Sequence, residues 1–250
     1  MKSFSDKLLL VALLLTALPL RAADLTVSAA ASLASAFGEI GKAYERSNPG
    51  SKVLFNFGAS GSLLQQIARG APVDVFATAD LETMDRAQKQ NLIQQDTRVN
   101  FAANALVLIV PSPPGQAVAG LADLSSPAVA RIGLGIPGSV PAGRYAREVL
   151  ESAGLWESLK GKYVFGQNVR QVLDYVARGE VDAGMVYRTD ARLLKGKVHI
   201  VAELPAKIRI LYPISVVKGG SNAPSARAFI AFLSSDPGQT ILAKYGFQTP

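Results

Sequence analysis

The feature of this sequence that most constrains its fold is a regular alternation of short apolar runs with stretches of helical periodicity. Runs at 25–29, 52–57 and 73–77 are each followed by apolar residues spaced as on one face of a helix. A second series follows the unbroken run ALVLIV at 105–110 and continues to about residue 202. Such alternation predicts mostly parallel sheets flanked by helices, and two series predict two α/β lobes.

Two extended segments, near Asn104–Val110 and Ile208–Val217, are the natural crossings between the lobes. No strand follows the last two helical patterns, so we expect those helices to pack on the first lobe. This predicts a first lobe of residues 24–103 plus 213–250 and a second lobe of residues 104–212. Ligands of such sheets lie beyond the carboxyl ends of the strands, often between domains.

Residues 1–23 have the three-part pattern of a secretory signal peptide, which is cleaved on export. Lys2 and Lys7 precede the apolar run LLLVALLLTALPL, and small alanines follow it. The run is shorter than the roughly 20 residues that span a bilayer, which argues against a permanent anchor. We therefore predict an exported mature protein.

The composition excludes several classes of site. The 250 residues include no cysteine and one histidine, His199, which excludes thiol catalysis, disulfides and metal sites built from cysteines or several histidines. Without cysteine we also expect no lipid attachment. The formal net charge of +7 comes from scattered lysines and arginines, with no run of the kind that binds nucleic acid.

Two predicted helices begin with a small-residue turn and a hydroxyl, at Ala30-Ala31-Ser32 and at Ala59-Ser60-Gly61-Ser62. A helix start has free backbone N–H groups and the positive end of the helix dipole, and a serine adds a donor. Two such starts at neighbouring strand ends would form an anion site. The alternative is that Ser32 and Ser62 only cap their own helices.

Two further motifs resemble enzyme signatures, but their context does not support catalysis. The run GASGS at 58–62 lacks the second glycine of a nucleophile elbow, and the only available base, His199, lies in an apolar strand. The run GLGIPG at 133–138 fits a dinucleotide fingerprint by letter, but Pro137 and Pro141 predict a loop where the helix should begin. We expect its glycines to form a tight turn, with Pro141 at or just before the start of a helix that exposes Ala142.

Four aspartates follow strands or begin helices, and capping is their simplest interpretation: Asp74, Asp80, Asp182 and Asp190. A magnesium site has no supporting spacing among them. Tyr187 ends a buried strand, so its hydroxyl either points into the cleft or lies at the edge of the core.

Six runs in order, AAASLASAF, FGASGSLLQQI, GAPVDVFATAD, VPAGRYA, NVRQVL and GMVYRTDA, resemble the periplasmic molybdate-binding proteins of ABC transporters. The resemblance covers about Leu25 to Phe247. It implies a two-lobed periplasmic binding protein fold with a two-strand hinge, a molybdate or tungstate ligand between the lobes, and a membrane permease as partner. Together with the signal peptide, the scattered charge and the lack of cysteine, it leads us to expect a periplasmic protein without a cofactor, catalytic residues or a nucleic-acid partner, and a monomer is the default for a protein that supplies a transporter.

The resemblance also implies a set of ligand-binding residues, which contact molybdenum only through the oxygens of the oxyanion. Hydroxyl and backbone donors come from the first lobe, and backbone N–H groups and one phenol come from the second: Ser32, Ser60, Ala142, Val169 and Tyr187. By periodicity alone Val169 is a core position. The sequence departs from the family pattern at Ile136, where a polar residue is expected, and at Ser60-Gly61, where a serine pair is expected.

A site made only of donors suits molybdate, a tetrahedral dianion without a proton. Phosphate retains a proton that would find no acceptor, whereas sulfate differs from molybdate mainly in being smaller. The alternatives left open are a binding protein for another tetrahedral oxyanion such as sulfate and, more remotely, a serine hydrolase.

Overall fold

The computed structural model describes residues 24–113, 118–205 and 209–250, which form two five-stranded sheets flanked by helices. The predicted signal peptide lies outside the described residues. The strands are β1 (Leu25–Ala30), β2 (Val53–Gly58), β3 (Val75–Ala77), β4 (Val99–Asn104), β5 (Leu106–Pro111), β6 (Ile132–Gly135), β7 (Tyr163–Gly166), β8 (Ala183–Tyr187), β9 (Val198–Leu204) and β10 (Ile210–Val216). The α-helices are α1 (Ala34–Ser47), α2 (Ser60–Ala68), α3 (Leu81–Lys89), α4 (Pro141–Ser152), α5 (Val169–Ala177), α6 (Arg188–Leu193), α7 (Ala223–Ser234) and α8 (Asp236–Lys244).

The two sheets share one topology. The first has the order β2-β1-β3-β10-β4, and β10 runs antiparallel to both of its neighbours. The second has the order β7-β6-β8-β5-β9, and β5 runs antiparallel to both of its neighbours. Each sheet is therefore mostly parallel with one reversed strand, and the predicted two-lobed α/β fold class is confirmed.

The chain passes twice between the sheets. It leaves the first sheet at the end of β4 and enters the second through Ala105, and it returns between β9 and β10. The lobe boundaries expected at 103/104 and 212/213 lie within three residues of these crossings, and that division stays a prediction. Helix α7 packs on β10, and both α7 and α8 contact α1.

Two elements were missed by the sequence analysis. Strand β4 (VNFAAN) has exposed residues at its start and then small or polar ones, so neither an apolar run nor strict alternation marks it. Its place in the sheet depends on tertiary packing, because the Phe101 ring lies 5.7 Å from that of Phe37 on α1. Helix α6 has only six residues and a mixed composition, too short to show helical periodicity.

Parallel pairing brings the carboxyl ends of neighbouring strands to one edge in each sheet. In the first sheet Ala30 pairs with Gly58, and in the second Gly135 pairs with Gly166. Helices α2, α4 and α5 and the 3-10 turn Ala31–Leu33 all begin within a few residues of these strand ends. The two edges therefore present several helix starts.

Of the glycines in the run GLGIPG, Gly138 lies in a turn as predicted, whereas the other two have a different role. Gly135 belongs to β6 rather than to a tight turn, and a Cβ atom added at Gly143 would lie 2.0 Å from the Gly135 carbonyl oxygen. The glycines thus allow α4 to lie directly against β6. Pro141 is the first residue of α4, one of the two positions expected for it.

The three described segments contain no helix that is both long and apolar enough to cross a membrane.

Candidate functional site

A small cavity lies where the carboxyl edges of the two sheets face each other. Its lining includes all five residues that the family resemblance implies: Ser32, Ser60, Ala142, Val169 and Tyr187. The cavity is far smaller than the about 300–1,000 Å³ typical of sites for drug-sized ligands, so only a small ligand suits it. Among the described residues, no charged side chain lines it.

Ser60 is the first residue of α2, and its side chain is completely buried. Its Oγ accepts a hydrogen bond from the backbone N–H of Ala79 at 3.1 Å. Since a backbone amide can only donate, the single proton of the Ser60 hydroxyl is left for another acceptor. The cavity is the space that this hydroxyl borders.

Ser32 lies in the 3-10 turn that precedes α1 and is 2% exposed. Its Oγ is 3.1 Å from the hydroxyl oxygen of Tyr212, which belongs to β10. No side chain caps the turn, α1 or α2, so neither Ser32 nor Ser62 serves as a helix cap. Ser62, the other residue of the capping alternative, does not line the cavity.

The second lobe contributes two helix starts. Val140 precedes α4 without a side-chain cap, and the first helical residue is a proline, so Ala142 is the first to carry an N–H group. At the start of α5, the Asn168 side chain accepts from the Gln171 amide at 3.1 Å. The N–H groups of Ala142 and Val169 lie in first helical turns, where amides have no partner within the helix.

Tyr187 ends β8 and is 1% exposed. Its hydroxyl donates at 3.1 Å to the carbonyl oxygen of Ala79, in the loop after β3, so this bond joins the two lobes. Burial raises the pKa of Tyr187 well above its usual value, and the phenol keeps its proton. Donation to a ligand would require this hydroxyl to turn away from Ala79.

The two lobes also touch through their backbones. The amide of Gly61 donates to the carbonyl oxygen of Ser139 at 2.9 Å. A Cβ atom added at Gly61 would lie 2.8 Å from that oxygen, a distance too short for a side chain. The contact supplies a physical reason for glycine at this position. At the other departure from the family pattern, Ile136 acts through its backbone, donating to the Gly166 carbonyl and accepting from Ser139 and Val140.

Two arginines of the second lobe reach residues of the first. Arg144 contacts the buried carboxylate of Asp80 at 2.7 Å. It also contacts the exposed carboxylate of Glu82 at 3.0 Å. Arg170 donates to the Ser32 carbonyl at 3.1 Å and pairs with Asp190 at 2.5 Å. The described structure is therefore a closed form in which the lobes are joined around the cavity.

The capping interpretation of the aspartates is correct for one of them. Asp80 caps α3 by accepting from the Thr83 amide at 3.2 Å. Asp74 accepts from the amide of a strand residue, Thr26, and Asp182 accepts from loop amides, so both tie neighbouring segments together.

Asp190 is the buried partner of Arg170. Its pKa is raised to about 6 because burial penalises the charged form more than the arginine offsets it.

Residues 25–248 match the family of bacterial extracellular solute-binding proteins. The chain belongs to this family. A putative ABC transporter substrate-binding lipoprotein of Bacillus subtilis, YvgL, is 40% identical over 225 residues, covering 89% of this chain and 85% of the relative. The molybdate-binding protein ModA of Haemophilus influenzae is 36% identical over 90% of each chain. A solved structure, the substrate-binding domain of a putative molybdenum ABC transporter from Clostridium difficile, has a TM-score of 0.69 at 38% identity, covering 91% and 99% of the two chains.

The geometry of this solute-binding protein does not support the hydrolase alternative. His199 is exposed on β9, at the edge of the second sheet, and does not line the cavity. The Ser60 Oγ accepts a hydrogen bond from the backbone amide of Ala79, where a nucleophile would need a base. Residues 24–113, 118–205 and 209–250 also hold no group of three acidic or histidine side chains that could bind a metal ion.

Three residues next to the cavity were not singled out from the sequence. Ala79 contacts Ser60 and Tyr187, Tyr212 contacts Ser32, and Asn104 contacts Tyr212. Asn104 and Tyr212 lie in the segments predicted as crossings, but neither has a neighbour in the sequence that hints at a site. Only the pairing of β4 with β10 brings them close to Ser32.

Proposed function

We propose that this protein binds molybdate, and also tungstate, in the cavity between its lobes and delivers it to the membrane permease of an ABC transporter. The observation that carries the proposal is a small cavity between the lobes whose lining includes two serines, a tyrosine and the first residues of α4 and α5, without a charged side chain. We further propose that the chain acts in the periplasm as a monomer after loss of residues 1–23. Its similarity to a molybdate-binding protein supports this choice of ligand.

The proposed ligand contacts are the hydroxyls of Ser32 and Ser60, the amides of Ala142 and Val169, and the hydroxyl of Tyr187. Preorganised neutral dipoles can stabilise a desolvated dianion without a cationic partner. Hydrogen phosphate would bury a proton without an acceptor, at a cost of about 1–3 kcal/mol. Sulfate has the same charge and shape as molybdate, so its exclusion depends on the size of the cavity.

The proposal is tested by calorimetric titration of residues 24–250 with molybdate, tungstate, sulfate and hydrogen phosphate. We expect one molybdate or tungstate per chain, bound tightly, with sulfate and phosphate far weaker. Preferential binding of sulfate would keep the oxyanion site and overturn the ligand. Failure of all four anions to bind would overturn the proposed function.

A further inference from the structure

A chain of buried hydrogen bonds leads from the hinge to the candidate site. The direction in which its members donate is set at Asn104. The Asn104 Oδ1 accepts from the amide of Ala105 at 2.9 Å. This contact fixes the orientation of the side-chain amide, because an N–H group in that place would face another N–H. The Asn104 Nδ2 therefore donates, to the Tyr212 hydroxyl oxygen at 3.1 Å and to the Thr189 Oγ1 at 2.9 Å.

The next step is the hydroxyl of Tyr212, which is completely buried. It accepts from Asn104, so its own single proton needs an acceptor elsewhere. Among the described residues its other hydrogen-bond partner is the Ser32 Oγ, at 3.1 Å. Burial raises the pKa of Tyr212 well above its usual value, so the phenol retains the proton that it donates.

The last step is Ser32. Because its Oγ accepts from Tyr212, its own proton points to a different neighbour, and the residue borders the cavity. Ser60 reaches the same state by a shorter route, since the Ala79 amide donates directly to its Oγ. Both serines are thus held as donors toward the space between the lobes.

We propose that Asn104 and Tyr212 are positioning residues that hold the Ser32 hydroxyl as a donor, and that they thereby favour a fully deprotonated dianion over one that carries a proton. The inference rests on the proposed function of this cavity as an oxyanion site. We call the hydrogen bonds that run from Asn104 through Tyr212 to Ser32 the relay. Without the relay, the Ser32 hydroxyl is free to rotate and to present a lone pair to a ligand. A ligand such as hydrogen phosphate could then place its proton on that oxygen.

The test compares sulfate with hydrogen phosphate, two tetrahedral dianions of similar size that differ in one proton. The variant Tyr212→Phe keeps the ring, which packs 5.4 Å from that of Phe247, and removes the hydroxyl. We expect its affinities for molybdate and sulfate to fall together by about threefold to tenfold, since one orienting hydrogen bond is lost. The affinity for hydrogen phosphate should fall less, so the phosphate-to-sulfate ratio should rise at least about threefold.

Two controls separate this effect from a general loss of structure. Tyr44→Phe makes the same change at a buried tyrosine in α1. This variant should leave all affinities unchanged. Tyr212→Phe is also made in a Ser32→Ala background, where the relay has no end point and the second substitution should have no further effect on the ratio. Thermal unfolding of each variant checks that it is folded.

Each outcome decides the proposal. Equal losses for sulfate and hydrogen phosphate, or the same ratio change with and without Ser32, would overturn the relay and leave the oxyanion site standing. If the unsubstituted protein binds sulfate but not molybdate, the proposed ligand is wrong and the ratio still tests the relay. If it binds no oxyanion, the proposed function fails and the relay fails with it.

Discussion

The two lobes have the same strand order and place helix starts at the same edge, yet they build their halves of the cavity from different groups. In the proposed site, the first lobe contributes the hydroxyls of Ser32 and Ser60, and the second contributes the amides of Ala142 and Val169 in addition to one phenol. A backbone amide is a donor by its covalent structure, whereas a hydroxyl donates or accepts according to its neighbours. The second lobe's part of the cavity therefore needs only correctly placed helices. The first lobe's part also needs hydrogen-bond partners that fix the orientation of its hydroxyls.

This difference predicts where substitutions act. In the first lobe, loss of a side chain removes a donor directly. In the second lobe, side chains at Ala142 and Val169 are replaceable as long as α4 and α5 keep their positions against the sheet. Gly143 matters more for that placement than the residue that carries the donor, because only glycine fits against the Gly135 carbonyl.

The largest expected effect tests the first-lobe half directly. Ser60→Ala or Ser32→Ala should weaken molybdate binding by about 1.5–3 kcal/mol each, the value of a hydrogen bond to a charged group. Ser62→Ala is the matched control, because Ser62 lies in the same helix and does not line the cavity. Titration calorimetry measures all three variants. Unchanged affinity in both Ser32 and Ser60 variants would remove these residues from the site.

The second prediction concerns the contact between the halves. Gly61→Ala places a Cβ atom 2.8 Å from the Ser139 carbonyl, so closure should become less favourable by about 1–3 kcal/mol. Alanine is also a better helix former than glycine, so the free energy of unfolding without ligand should hold or rise. Gly38→Ala in α1 is the control, because no atom lies within 4 Å of its added Cβ.

Affinity and chemical denaturation together measure this prediction. Weaker molybdate binding with undiminished stability would show that Gly61 acts on closure. A loss of stability as large as the loss of affinity would contradict that interpretation, since the clash would then exist in every folded form.

The third prediction uses the second lobe's buried charge pair. The pKa of Asp190 is raised to about 6 in the folded protein, above its ordinary value, so the folded state binds this proton more tightly than the unfolded state. Its contribution to stability is present at low pH and is lost as pH rises through about 6. Between pH 4.5 and pH 7 the loss is about 2 kcal/mol.

Asp190→Asn removes this titration and keeps the size of the side chain. We subtract the variant's free energy of unfolding in urea from that of the unsubstituted protein. The result should be lower at pH 7 than at pH 4.5, because only the unsubstituted protein loses stability from this titration. A difference that does not change with pH would mean that Asp190 titrates as it does in the unfolded chain.

Much of the fold followed from the sequence because it is encoded locally. Apolar and extended runs indicated nine of the ten strands in the described residues, and small-residue turns with hydroxyls indicated Ser32 and Ser60. Strand β4 escaped because its residues are buried by partners far along the chain. The donor role of Val169 also escaped, because a buried side chain and a free amide belong to the same residue and periodicity reports only the former.

The partners of the hydroxyls were beyond local reach for the same reason. Tyr212 is 180 residues from Ser32 in the sequence, and Asn104 meets Tyr212 only through the pairing of β4 with β10. No spacing rule connects these positions. The sequence therefore indicates which hydroxyls lie at the strand ends, but whether each hydroxyl donates or accepts depends on the tertiary structure that orients it.

The smallest expected effect tests how strongly the second lobe holds the first. Arg144→Gln removes the ion pair with the buried Asp80 carboxylate but keeps a side-chain amide that can donate to it, so we expect molybdate to dissociate about fivefold faster, an effect of about 1 kcal/mol. Arg147→Gln removes an equal charge from the same helix, but its ion pair with Glu151 is exposed and lies within one helix. Stopped-flow dissociation compares the two variants at equal ionic strength. Equal rates would attribute the effect to net charge, whereas a faster rate only for Arg144→Gln would place the tie between the lobes at Asp80.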